Sequence, residues 1–111
     1  MRMQLCGATF RLTCSIRRER SVAVMVTFTL KTDAATYQSL HAQMMSLAGP
    51  AGLLFHSGHE VNGQVGIVDF WPSADTWNAF AQGPLAEGMK GAGIAPPDDL
   101  KVTPVLNAHG A

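Results

Sequence analysis

From residue 25 onward the hydrophobic and polar positions change their period at regular intervals. Val26, Phe28 and Leu30 alternate with Thr27, Thr29 and Lys31, and this two-residue period in β-branched and aromatic residues predicts a strand beginning at Met25. Thr32 or Asp33 can cap a following helix, in which Tyr37, Leu40, Met44 and Leu47 recur at helical spacing until Gly49-Pro50 is expected to end it. A second strand is predicted from about Leu53 to Val61 and a third from Gln64 to Trp71. The Asn62-Gly63 dipeptide between them is a strong hairpin signal, because both central residues of a type I′ turn need positive φ. Pro72-Ser73 ends the third strand and caps a second helix, with Trp77, Phe80 and Ala81 on its inner stripe. Gly83-Pro84 is expected to interrupt that helix and to open a short one containing Leu85 and Met89. Residues 91–99 read as a loop, and Leu100, Val102, Pro104 and Leu106 as a last strand at an edge or a bulge.

The order β-α-β-β-α-β predicts an α+β, ferredoxin-like domain: a four-stranded antiparallel sheet with two helices on one face. The strands nevertheless carry apolar residues at both parities. Phe55, Val68 and Phe70 share one face of the hairpin, while Leu54, Ile67 and Trp71 share the other. Two helices cover one face only. The economical cover for the second is the same face of another copy, so a homodimer is expected, with a pocket between the sheets.

With Asn62 and Gly63 as the two loop residues, Val61 opposes Gln64, His56 opposes Asp69 and Leu54 opposes Trp71. A histidine and a carboxylate paired across strands on an apolar face, with a tryptophan beside them, are the most chemical constellation in the chain. The carboxylate would hold the imidazole in one orientation and tautomer, making His56 a candidate general acid or base and Asp69 its partner. The same pair also has a purely structural reading, in which it satisfies itself and fixes the strand register. No metal site is expected: His56 and His59 face opposite sides of a strand, and Glu60 lies roughly 13 Å along it from His56. His41, beside the helix stripe, and His109, near the end of the chain, are expected at the surface.

Charge divides the chain. Residues 1–24 hold five arginines against Glu19 alone, and residues 25–111 hold three lysines against seven acidic residues, so a +4 segment cancels a −4 one. Both cysteines, Cys6 and Cys14, lie in the first segment. That arm reads as a disordered or targeting segment, as an extra strand built on Phe10, Leu12, Cys14 and Ile16, or as residues upstream of a natural start at Met25. Residues 25–107 form the expected domain and 108–111 a tail. An acidic domain without arginine has no electrostatic footprint for nucleic acid. No uninterrupted apolar stretch is long enough for a membrane span, and a reducing, cytoplasmic setting is the default. The glycines at 83, 88, 91 and 93 make neither a dinucleotide fingerprint nor a phosphate loop, and no serine sits on a nucleophile elbow. No cofactor is expected.

Gly52-Leu53-Leu54-Phe55-His56, Val68-Asp69-Phe70-Trp71, Phe80, Pro84-Leu85 and Pro104-Val105-Leu106-Asn107 together resemble a family of small bacterial proteins of unknown function in the dimeric α/β-barrel superfamily. That superfamily includes the antibiotic-biosynthesis-type monooxygenases. The resemblance spans about residues 25–107, with His56, Asp69 and Trp71 on the family's recurrent positions. It implies a homodimer whose sheets form a shared barrel, with a small-molecule cleft between sheet and helices in each subunit. Cofactor-free monooxygenases and haem-degrading enzymes of the superfamily use an Asn on the first strand, a Trp late in the third and a His in the following helix. Trp71 matches the tryptophan, but the first strand has Thr27 and Thr29, and Phe80 stands about where the His would be. One expectation is therefore a homodimer binding a small apolar or aromatic molecule near His56, Asp69 and Trp71, with Leu54, Ile67 and Phe80 lining the cleft. A second is a cofactor-independent, monooxygenase-like or acid/base enzyme using His56 and Asp69 on a small aromatic or polyketide-like compound, with Trp71 as a stacking wall. A third is a dimerisation module without ligand.

Overall fold

A computed structural model describes residues 22–109; the three readings of the basic arm fall almost wholly outside them. The elements are β1 (Val24–Leu30), α1 (Ala34–Ala51), β2 (Phe55–Val61), β3 (Gln64–Trp71), α2 (Ala74–Phe80), a π-helical turn (Ala81–Leu85), α3 (Ala86–Gly91) and β4 (Lys101–Pro104). The four strands form one antiparallel sheet in the order β2-β3-β1-β4. This is the ferredoxin-like arrangement that the element order predicts, with β4 on the edge where its proline removes no central ladder bond.

The two-residue period of β1 sorts its side chains. Val24, Val26, Phe28 and Leu30 are buried toward the helices, while Met25, Thr27 and Thr29 face the other side and are half-buried. Across the ladder the inner residues meet Trp71, Asp69, Ile67 and Val65 of β3. Met44 and Ala48 of α1, Trp77 and Phe80 of α2, and Met89 of α3 close over them. The strand begins one residue before Met25, and Val24, 5% exposed, belongs to the core.

Local chemistry explains where the elements start and stop. The Asp33 side chain accepts a 2.8 Å hydrogen bond from the Thr36 amide at the start of α1, and Ser73 Oγ accepts one of 3.1 Å from the Thr76 amide at the start of α2. The amide bond holds the exposed Asp33 carboxyl below its ordinary pKa. The loop before β4 is pinned to β1: Asp99 accepts from the Thr29 amide at 2.9 Å and its hydroxyl at 2.7 Å, and Lys31 pairs with Asp98 at 2.9 Å.

Three boundaries and one core position differ from the sequence pattern. Helix α1 runs through Gly49-Pro50 to Ala51, because a proline in the last turn forfeits one hydrogen bond without breaking the helix; left-handed Gly52 (φ 115°) then ends it, and the Leu53 amide reaches back to the Ala48 carbonyl at 3.0 Å. Leu47 is 42% exposed and Ala48 takes its place in the core. Strand β2 starts at Phe55 rather than Leu53. Gly83-Pro84 widens the second helix into the π turn instead of ending it, which accommodates the missing proline N–H within one continuous rod.

Asn62 (φ 50°) and Gly63 (φ 79°) form the expected turn, and the hairpin register places Val61 opposite Gln64 and His56 opposite Asp69. Gly63→Ala places a Cβ in the left-handed region and is expected to cost about 1 kcal/mol. Gly49→Ala, in a helix with open space around it, is expected to be neutral or stabilising by up to about 1 kcal/mol. Urea unfolding midpoints of the two variants should move in these different directions, and an equal loss in both would contradict the turn assignment.

Candidate functional site

Asp69 is a carboxylate on the inner face of a central strand and is 6% exposed. Burial of such a group without partners would be costly, so its hydrogen bonds organise their surroundings. Oδ1 lies 2.6 Å from His56 Nδ1, directly across the ladder, and Oδ2 accepts a 3.3 Å hydrogen bond from the indole Nε1 of Trp71. The carboxylate can only accept, so Nδ1 of His56 carries a hydrogen. In the neutral ring Nε2 is then an acceptor, and it lies 2.6 Å from the Tyr37 hydroxyl on α1. A continuous hydrogen-bonded chain runs Tyr37–His56–Asp69–Trp71.

Tyr37 reaches this position because β2 makes room for it. A Cβ at Gly58 would collide with the Tyr37 hydroxyl and ring, so the absent side chain is what lets α1 lay its phenol against the strand. The chain borders a small cavity of about 40 Å³ between the sheet, α1 and the π turn, room for about three waters. Tyr37, His41, His56 and Asp69 supply its polar lining, while Phe28, Ile67, Phe80 and Leu85 are among its apolar walls. Both ring nitrogens of His56 are engaged, so the group that can meet a ligand without disturbing the chain is the Tyr37 oxygen. His41 stands beside it, its ring centroid 5.4 Å from Tyr37 and 5.2 Å from His56, with no side-chain hydrogen bond among the described residues.

The sequence-based site residues separate on this map. His56 and Asp69 are joined, and Ile67 and Phe80 border the same cavity. Trp71 does not border it: fully buried, with its ring centroid 5.1 Å from Phe80, it lies behind Asp69 and holds the carboxylate rather than forming a wall. Leu54 also stands apart, 62% exposed and outside the cavity, because the chain has not yet entered strand geometry there and the parity rule does not apply. His41, expected at the surface, faces the cavity. Tyr37 is legible in the sequence only as one apolar position of a helix stripe; the nearby Gly58 on β2 is its sequence signal, a gap in a strand where another element approaches. Among the described residues no group of three His, Cys, Asp or Glu side chains could hold a metal ion, and no helix is long and apolar enough to cross a membrane.

Solved structures share this fold. The chain superposes on a protein described as an antibiotic biosynthesis monooxygenase from Chloroflexus aurantiacus with a TM-score of 0.57 at 16% identity, covering 79% of this chain and 97% of that one. It superposes on SnoaB, a cofactor-independent oxygenase from Streptomyces nogalater, with a TM-score of 0.57 at 14% identity, covering 78% of this chain and 94% of that one. The sequence matches no family model and no curated protein. The protein therefore has the ferredoxin-like fold of antibiotic biosynthesis monooxygenases.

Burial, and secondly the Asp69 charge, raise the Tyr37 pKa above the ordinary 10.0. The native state then holds its proton more tightly than the unfolded chain does. This stability is fully present below pH 10.0 and is lost as pH rises through the native pKa. Tyr37 is the one tyrosine of the chain, so phenolate absorbance reports it alone. A midpoint above the ordinary value is expected in the native protein. In Gly58→Ala, which displaces the phenol, the midpoint should fall back toward 10.0. The same midpoint in both proteins would refute the packing of Tyr37 against Gly58.

Proposed function

We propose that the protein is a homodimer that binds a small, apolar or aromatic molecule carrying a hydroxyl or carbonyl group, in the cleft between the sheet, α1 and the π turn. The observation that carries this reading is the partly buried Tyr37–His56–Asp69–Trp71 chain ending at a mainly apolar cavity. Tyr37 satisfies the second nitrogen of His56 and at the same time presents a polar atom, its oxygen, to the cavity. The space beside it holds only water-sized molecules, so a ligand enters by displacing Leu85 on the π turn, a kind of segment that recurs at functional sites. Tyr37 Oη would meet the ligand's polar group, with Ile67 and Phe80 against its apolar body. A thermal-shift series with naphthol and naphthalene tests this. Naphthol is expected to raise the Tm more than naphthalene does, and Tyr37→Phe and His56→Ala to remove the difference. Stabilisation by naphthol that both variants retain would take the chain out of the site.

The second reading is an enzyme, and the specific feature that favours it is the unbroken path from Tyr37 through His56 to Asp69. Tyr37 can take a proton from a bound phenol or enol as it passes its own to His56 Nε2, while Asp69 holds Nδ1 and stabilises the imidazolium that forms. SnoaB, which has the same fold, is a cofactor-independent oxygenase, and an acid/base path of this kind suits a substrate that gives up a proton. Oxygen uptake on hydroxylated aromatics without added cofactor is the expected activity, lowered about 10²- to 10⁴-fold in Asp69→Asn, which leaves the cavity shape intact. Equal rates in wild type and Asp69→Asn would leave binding as the function.

Dimerisation is proposed through the sheet face away from the helices. Phe55, 53% exposed, packs edge-on against Phe70 at 5.8 Å, and Met25 and Val68 continue the apolar surface. The described residues leave this face uncovered. Phe55→Asp on this exposed position should leave the fold intact and turn a dimer into a monomer in sedimentation velocity; a monomeric wild type would end the proposal.

A further inference from the structure

A second cavity, of about 410 Å³, lies on the far side of Leu85 and Met89, the residues against which the cavity at Tyr37 also rests. Its volume is that of a small-molecule site, and it is about ten times roomier than the space beside Tyr37. Apart from one residue the walls are apolar: Trp77, Met89 and Ile94 are buried, and the more exposed Pro96 and Pro97 stand at the rim. The prolines stiffen that rim, and the residues that follow are tied to β1 through Asp98–Lys31 and Asp99–Thr29, so the cavity is formed before any ligand arrives.

Among the described residues one charged side chain borders this space, Lys90 of α3. It is exposed and has no carboxylate partner among the described residues, whose ion pairs are Lys31–Asp98 and His56–Asp69. A cation without a partner at the edge of a preformed apolar chamber selects one ligand chemistry: a hydrocarbon body that fills the chamber and a single anionic end that stays at the rim. We propose that this cavity is a binding site for an apolar monocarboxylate, its hydrocarbon against Trp77 and Ile94 and its carboxylate at Lys90. The site is distinct from the Tyr37–His56–Asp69 chain and does not depend on the function proposed for it.

Decanoate and decanol are suitable probes, since they share a body and differ in the charged end, and Trp77 in the wall reports their arrival by its fluorescence. Decanoate is expected to saturate the signal at one molecule per chain and to bind about five-fold more tightly than decanol at low salt, as a partly exposed ion pair allows. Lys90→Gln should bring decanoate down to the affinity of decanol and leave decanol unchanged. Ala86→Trp, at an exposed position on the rim, should block both probes without lowering the Tm. The proposal is overturned by absence of saturable binding, by equal affinity of decanoate for wild type and Lys90→Gln, or by binding that survives Ala86→Trp. Lys90→Gln alters neither Tyr37, His56 nor Leu85, so naphthol stabilisation should persist in it, and that variant separates the two proposals.

Discussion

A carboxylate on the inner face of β3 sets the terms for everything around it. Asp69 sits in the row of the sheet that runs from His56 on β2 to Val26 on β1, under two helices, and almost none of it reaches water. Its hydrogen bonds must therefore come from the protein. The indole of Trp71, two residues along the same face, and the imidazole of His56, directly across the ladder, supply them. Each donor is thereby fixed: Trp71 is turned into the core, where it packs on Phe80 and Trp77, and His56 is held in one tautomer. The second nitrogen of His56 then needs a partner of its own, and Tyr37 provides it. A single buried charge thus links two strands and a helix, and the cavity beside it inherits a polar edge from that linkage.

Two glycines that meet residues of α1 show how tightly the helical layer is keyed to this arrangement. Gly58 admits the phenol of Tyr37 to β2, and Gly88 admits the thioether of Met44 to α3. At both places a Cβ would require the neighbour to shift. The π turn carries Leu85, which borders both the cavity at Tyr37 and the larger one. The widened helix at Gly83-Pro84 is therefore central to the molecule's chemistry as well as to its fold, since it carries the wall that both spaces share.

Much of the architecture is legible in the chain. The period of two in β1 and β3, the Asn62-Gly63 turn and the helix caps at Asp33 and Ser73 are local signals, and local geometry obeys them. The hairpin register follows from the turn alone, which is why the amino-acid order suffices to pair His56 with Asp69. Leu54 fails for a related reason: alternation of faces holds inside a strand, and β2 begins one residue later. Parity puts Trp71 on the correct face, but a face does not distinguish a ligand wall from a residue behind the carboxylate. Helix α1 is evident as an element, yet its periodicity misplaces the inner stripe at Leu47 and at His41.

The sequence by itself determined the order of elements, the register of the hairpin and the cross-strand pair, because each depends on contacts between neighbours in the chain or across one tight turn. Tertiary structure alone decided which helix residue completes the pair. The rotation of α1 about its axis depends on where another element leaves room, and that room comes from Gly58, on a strand remote from Tyr37 along the chain. Apolar periodicity marks a stripe about 100° wide and cannot choose among Tyr37, Leu40 and His41 within it. A missing side chain on a distant strand chose Tyr37, and with it the atom that faces the cavity.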